Sequence, residues 1–346
     1  MESAIPDHLR AERTRTRRIP DDYAPPYPSH VARFKPSVQR VTMAYFGVQF
    51  DRAEPSSART ALDWIKLRFE ATDGPTHWDQ ARYVDEAGFT NIVCVGYWDD
   101  HARFLRWFPD TRTAWTRDNP AIGRLGRYVE VLSPGVEGYE TLFSSLGRPE
   151  GVAVLADAMS ADIQEHAYWG GMRDRIPKSQ TDALSPAGAP TYLRDGPTIR
   201  VMPAENVCLI RSGQDWTDTD SEERAMYVND VEPVLREGMM FLRDSGGDIG
   251  CYANRYMDVL DGAGKALDKS YGMSWWKSLA ALERWAESHP THVAIFGAAM
   301  KYLMKLGPAA KLRLYHEVTV ARAEEQFFEY FGCHDRTGML KSVKLD

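Results

Sequence analysis

Apolar and polar positions follow two recognisable periods along this chain. VTMAYFGVQF, Val41 to Phe50, is an almost unbroken apolar run of strand length; after it the period changes, and Ala61, Trp64, Ile65, Arg68 and Phe69 recur at helical spacing. NIVCVGYW, Asn91 to Trp98, predicts a second strand, a short helix follows around Phe104 to Phe108, and GRYVEVLS, Gly126 to Ser133, predicts a third strand. The order then returns. NVCLIRSG, Asn206 to Gly213, predicts a strand, and Ser221 to Leu242 one long helix whose acidic start, Asp220, Glu222 and Glu223, suits the helix dipole. CYANRYMDVL and KALDKSYGMSWW flank Asp261-Gly262-Ala263-Gly264 as a hairpin; no GK[ST] follows, so these glycines do not read as a phosphate loop. A helix ending in LERWAESHP and a strand in KLRLYHEVTV complete the pattern.

Two short matches tie the halves together. Trp98 and Trp107, with Arg106 before the second, have the same spacing as Trp276 and Trp285, with Arg284 before the second; downstream, Tyr128-Val129-Glu130-Val131 matches Tyr315-His316-Glu317-Val318. The expectation is an α+β fold made as a single unit with an internal pseudo-duplication, about residues 40–150 and 200–335. Each half has a sheet backed by helices, and the sheets are expected to join into a barrel with an interior pocket. Residues 1–39, basic RTRTRR and then PDDYAPPYPSH with its four prolines, read as an extended arm.

Composition narrows the function. With 346 residues, 43% hydrophobic and 26% charged, the chain has the balance of a soluble globular protein. A net charge of -7 argues against nucleic acid as the main partner. Cys94, Cys208, Cys251 and Cys333 match neither a disulfide framework nor a CxxC metal site and fit a reducing cytoplasm. No apolar run approaches the roughly 18 residues of a membrane span, and MESAIPDHLRAERTRTRR lacks the apolar core of a signal peptide, so a cytoplasmic location without membrane contact is expected. Aromatic residues make up 11%, which suits a large flat apolar ligand or simply a ring-rich core.

The histidines of the last quarter carry the candidate chemistry. Alternation puts Leu312, Leu314, His316, Val318 and Val320 on one strand face, where His316 interrupts aliphatic neighbours. It is either a core histidine bonded to a carbonyl or a pocket residue. In AESHPTHVAIFGAAMKYLMKL, Pro290 disfavours helix at His289 and Thr291 is a cap candidate, so a new helix would begin near His292 and present it with Ile295, Phe296, Ala299, Leu303 and Leu306. The HxxH spacing of His289 and His292 offers zinc ligands only weakly, lacking companions at structural-zinc spacing. One imidazole from a helix and another from a strand facing it is an arrangement of haem proteins. Ser212, in LIRSGQDW without GxSxG, is a turn serine or a donor to a ligand. Arg173 and Arg175, in GGMRDRIPKSQTD, would share a side if that loop is extended; a surface salt-bridge pair is the plain alternative.

Taken together, MESAIPDHL, RIPDDYAPPYP, VQF, VGYW, EHAYWGGMRDRIPKSQTD, LIRSGQDW, LERWAESHPTH, LRLYHEV and CHDRTGML cover nearly the whole chain and resemble the haem-containing aldoxime dehydratases. The resemblance implies dehydration of R-CH=N-OH to a nitrile plus water on ferrous haem b, with aliphatic or phenylacetaldoxime-type substrates and a role in nitrile biosynthesis. It implies His292 as axial iron ligand, His316 as distal proton donor, Ser212 as the hydroxyl holding the substrate OH, and Arg175 as a supporting donor, with Arg173 of the same motif as the other choice. Glu140, in EGYETLF, matches a family position that tunes distal protonation. The family's fold is a dimeric α+β barrel of two ferredoxin-like halves flanked by helices, and a homodimer is its usual state. A haem peroxidase-like enzyme, or a non-catalytic haem-binding protein, on a related barrel is the alternative; the hydroxyl of Ser212 has the clearer task on an N-OH substrate.

Overall fold

The computed structural model describes residues 1–51, 54–117, 125–167 and 171–346; residues 168–170 of the EHAYWGG motif lie outside them. In chain order the elements are β1 (Ala32–Arg33), β2 (Thr42–Phe50), α1 (Ser56–Phe69), β3 (His77–Val84), β4 (Thr90–Trp98), α2 (His101–Trp115), β5 (Gly126–Leu132), β6 (Tyr139–Phe143), β7 (Ala158–Met159) and α3 (Gly171–Arg175). There follow β8 (Thr191–Asp195), β9 (Thr198–Met202), β10 (Val207–Asp215), α4 (Ser221–Met226), α5 (Glu232–Ser245), β11 (Cys251–Leu260), β12 (Ala266–Trp276), α6 (Leu279–Ser288), α7 (Pro290–Leu306), β13 (Arg313–Ala321) and β14 (Gln326–Phe331).

Among the described residues one antiparallel sheet dominates, twelve strands in the order β6-β13-β10-β12-β11-β3-β4-β2-β5-β14-β9-β8. β2 is buried along its whole length, which is why its sequence runs apolar rather than alternating. The hairpin of β11 and β12 turns where predicted: the Asp261 carboxylate accepts the N–H groups of Ala263 and Lys265, each at 2.9 Å, and Gly264 takes φ +85°, which glycine adopts without strain.

The expected closed barrel is not formed. Among the described residues the ladder ends at β6 on one side and β8 on the other. The outer edge of β6 is instead satisfied by the arm, where His30 and Phe143 exchange both backbone hydrogen bonds at 2.9 and 2.8 Å. β8 is short and largely exposed, with Arg194 and Asp195 blunting the edge against further pairing. The sheet still curls around an interior. Arg255 on β11 reaches Glu130 on β5 at 2.7 and 2.6 Å, and Arg211 on β10 reaches Asp79 on β3 at 3.1 Å.

Helices cover the outer face in two groups. α1 and α2 pack on β2 and β4 through an aromatic cluster in which Phe46 meets Phe69, Trp107 and Trp115 edge to face. Trp98 and Trp107 lie 5.1 Å apart, and Trp276 and Trp285 lie 5.6 Å apart. The predicted single helix of Ser221 to Leu242 is interrupted: a π turn at Tyr227–Val231 separates α4 from α5, where Pro233 has no N–H to continue the ladder.

Candidate active site

The second helical group is packed differently from the first. α7, PTHVAIFGAAMKYLMKL, is apolar enough for a fully buried helix, yet of its residues only Tyr302 is buried; Ile295, Phe296, Ala299, Leu303 and Leu306 are half-exposed. The sheet shows the matching shortfall. On β10 only Ile210 and Ser212 are half-exposed, and on β13 Leu314 and His316 are half-exposed on either side of buried Tyr315. A row of side chains crosses these strands on one face, because Leu142 pairs with His316, His316 with Ser212, and Ser212 with Gly272. A side chain at position 272 would meet the Met239 sulfur at 2.6 Å, so glycine there lets α5 sit close against the row.

His292 stands in the first turn of α7. Its Nδ1 bonds the Ala286 carbonyl at 2.9 Å, which places the ring proton on Nδ1 and the lone pair on Nε2. Burial pushes its pKa down to about 4, so the ring is neutral at physiological pH, and the charge of His316 adds to that push. The Trp285 ring packs on it at 4.4 Å and is itself held by a bond from Nε1 to the Thr291 hydroxyl at 3.1 Å. A neutral, oriented imidazole beside a half-covered apolar helix fits the iron ligand of a haem. His289 is placed otherwise: it, and not Thr291, caps α7, accepting the Thr291 N–H at 3.4 Å, while its ring stacks on Phe241 at 4.6 Å. That sets it to a structural task rather than to zinc.

On the strand side an imidazole, a carboxylate and a guanidinium meet. His316 Nε2 lies 3.0 Å from Glu140 Oε1 and 2.9 Å from Arg175 Nη2, while Arg175 Nε donates to Glu140 Oε2 at 2.7 Å and its Nη1 to the Glu165 carbonyl at 2.8 Å. Burial by itself drives the Glu140 carboxyl upward; the charges of Arg175 and His316 outweigh it and hold the group below its usual range. The carboxylate is therefore ionised at neutral pH.

Arg173 and Arg175 do not share a side. They sit on the short helix α3, where positions two apart point in nearly opposite directions. Arg173 turns to α6 and pairs with Glu283 at 2.9 and 2.7 Å, leaving Arg175 alone of the two beside His316. Sequence reasoning passed over Glu165, His166 and Glu283. His166 directly follows Glu165, Arg175's carbonyl partner; its pKa is pushed down to about 4 by burial and then by the Arg175 charge, and it packs edge-on against Tyr27 of the arm at 4.7 Å. The EH pair opening EHAYWGG was the available signal, but nothing in its spacing assigns it a partner.

Comparison with known proteins bears on this arrangement. The family model described as haem-containing dehydratase matches residues 44–339. The aliphatic aldoxime dehydratase of Pseudomonas chlororaphis is 44% identical over 99% of both chains, and the phenylacetaldoxime dehydratase of Bacillus sp. strain OxB-1 is 30% identical over 94% of both. A crystal structure of an aldoxime dehydratase superposes with a TM-score of 0.94 at 42% identity, covering 100% of this chain and 99% of that one. A second, of an aldoxime dehydratase co-crystallised with butyraldoxime, gives 0.94 and 42% over 99% and 97%.

Proposed function

The chain belongs to the haem-containing dehydratase family, and we propose from that membership and from its own geometry how it works as a haem-dependent lyase converting aldoximes to nitriles and water. Butyraldoxime bound to a relative supports a small aldoxime as substrate. Haem, when bound, would supply ferrous iron as the electron-rich centre that weakens the oxime N–O bond, and His292 would hold it through Nε2, its ring fixed by the Ala286 carbonyl.

The observation that carries the reading is the position of His316 Nε2 between a carboxylate and a guanidinium. When Nε2 bears a proton the Glu140 carboxylate stands 3.0 Å from it, and when it has lost the proton it accepts from Arg175. Both protonation states of one ring nitrogen are thus met by a partner already in place. Loss of hydroxide from an oxime needs an acid, and formation of the C≡N bond needs a base for the C–H proton. His316 gives the Nε2 proton to the departing oxygen and then takes the C–H proton back. Ser212, directly opposite on β10, binds the oxime hydroxyl and holds it toward His316. Preorganised donors of this kind contribute roughly 10²–10³ in rate.

The finer architecture is proposed as two ferredoxin-like halves derived from one another, which the matching Trp98–Trp107 and Trp276–Trp285 contacts support. A cytoplasmic homodimer is the family expectation. The four cysteines are unbridged, in keeping with a reducing compartment, and no described helix is long and apolar enough to cross a membrane.

The test is direct. Purified protein, reduced without oxygen, is expected to show a haem spectrum that shifts on addition of butyraldoxime, followed by butyronitrile in the mixture. Haem-loaded, reduced protein that leaves the aldoxime unconverted would overturn the assignment.

A further inference from the structure

The five-residue helix α3 is too short to hold itself in water, so its position depends on what its side chains grip. Three successive residues grip three different parts of the protein. Arg175 enters the His316–Glu140 set. The buried Asp174 carboxylate accepts the backbone N–H groups of Arg18 and Ile19 of the arm at 2.9 and 2.8 Å. Arg173 donates two parallel bonds to Glu283, which is 3% exposed on α6. One turn further along α6, the Ala286 carbonyl orients His292. Arg18 also approaches Glu283 at 3.2 Å, so the arm closes on the same carboxylate.

We propose that Arg173 and Glu283 are positioning residues whose part-buried, two-pronged ion pair ties the distal proton-handling set to the helix that orients the proximal histidine. The proposal rests on the roles given above to His292 and His316. A planar guanidinium meeting a carboxylate along two bonds fixes both distance and angle, which a lysine ammonium cannot do. With the pair intact, α3 is set against α6, and Arg175 Nη2 is held at 2.9 Å from His316 Nε2. Without it α3 keeps only the grips of Asp174 and Arg175, and α6 loses its ion pair to α3. Both sides of the site then change together.

Arg173→Lys and Glu283→Gln separate this from a merely structural role, after the parent protein has been shown to form nitrile. Each variant is expected to keep haem, lose about tenfold in kcat with KM within about twofold, and shift the pH profile of kcat. Each is also expected to move the ferrous iron–histidine stretching band in resonance Raman spectra. The double variant should be no worse than either single one, because both remove the same pair. If Arg173→Lys fails to fold, Glu283→Gln, which keeps the side-chain shape, decides the matter by the same readings. A variant with a lower melting temperature but an unchanged pH profile and unchanged iron–histidine band would overturn the proposal, as would additive losses in the double variant. If the parent forms no nitrile while the Raman band still moves, the reaction assignment fails and the tether stands.

Discussion

Ser212 and His316 are direct partners across the antiparallel ladder of β10 and β13, and both are half-exposed on one face of the sheet. Residues opposed in this way have Cβ atoms about 5 Å apart, so a hydroxyl and an imidazole reach the same small group from adjacent strands. Strands placed by a twelve-membered sheet hold that spacing more rigidly than loops would.

Their cooperation is measurable. Ser212→Ala should lower kcat by roughly 10²-fold and His316→Ala by roughly 10²–10⁴-fold, both with haem retained. Since each acts on the same departing oxygen, the double variant should lose far less than the product of the two. Steady-state nitrile formation at saturating aldoxime checks this; independent, multiplicative losses would separate the two residues.

His292→Ala should yield folded protein without stoichiometric haem, read as the ratio of haem absorbance to protein. The neighbouring His289→Ala removes the helix cap and should cost roughly 1 kcal/mol in stability while leaving the haem in place. Loss of haem from the second variant and not the first would exchange their roles.

Glu140 gives a stability signature that depends on acid. Its folded pKa lies below the ordinary 4.5, so its pair with Arg175 contributes fully above that pH and is lost as pH falls through the lowered value. Glu140→Gln leaves a buried guanidinium without its counter-charge and should destabilise by about 3–5 kcal/mol at pH 7. Urea unfolding at a series of pH values should show the gap between parent and variant narrowing only in strong acid, below pH 4.5. A gap that closes already between pH 5 and about 7 would assign it to another group.

Glu317 has the opposite sign. It lies on the interior face, one residue from His316, and burial pushes its pKa up to about 7, partly offset by Arg211. The folded protein then holds a proton that the unfolded chain has released, so Glu317 lowers stability progressively as pH rises from 4.5 to about 7. Glu317→Gln keeps an oxygen for the Val152 N–H, now accepted at 2.8 Å, and should be more stable than the parent at pH 8 with the difference vanishing near pH 5. Chemical denaturation at the two pH values decides it.

Much of this is legible in the sequence. The apolar runs at Val41–Phe50 and Asn91–Trp98, the alternation around His316 and the new helix after Pro290 follow from side-chain periodicity and from proline's missing N–H, which act within a few residues. The motifs from MESAIPDHL to CHDRTGML were enough to name a family and, through it, a haem. The π turn after Met226 was not legible, because Pro233 is tolerated early in a helix and only the packing around Tyr227 shows that a new one starts there.

What the sequence by itself determined is therefore local: which stretches are strands and helices, and which residue types are present for proton transfer and iron binding. Tertiary structure alone decided the partnerships. That Arg173 faces Glu283 and Arg175 faces His316 depends on α3 being helical, a question a five-residue segment answers only through its contacts with α6 and the arm. That the sheet curls without closing depends on which chain covers its last edge, and here His30, more than a hundred residues from Phe143, takes the hydrogen bonds of β6. Both are choices between competing long-range partners of similar chemistry, and their free-energy difference appears only when the whole chain is packed.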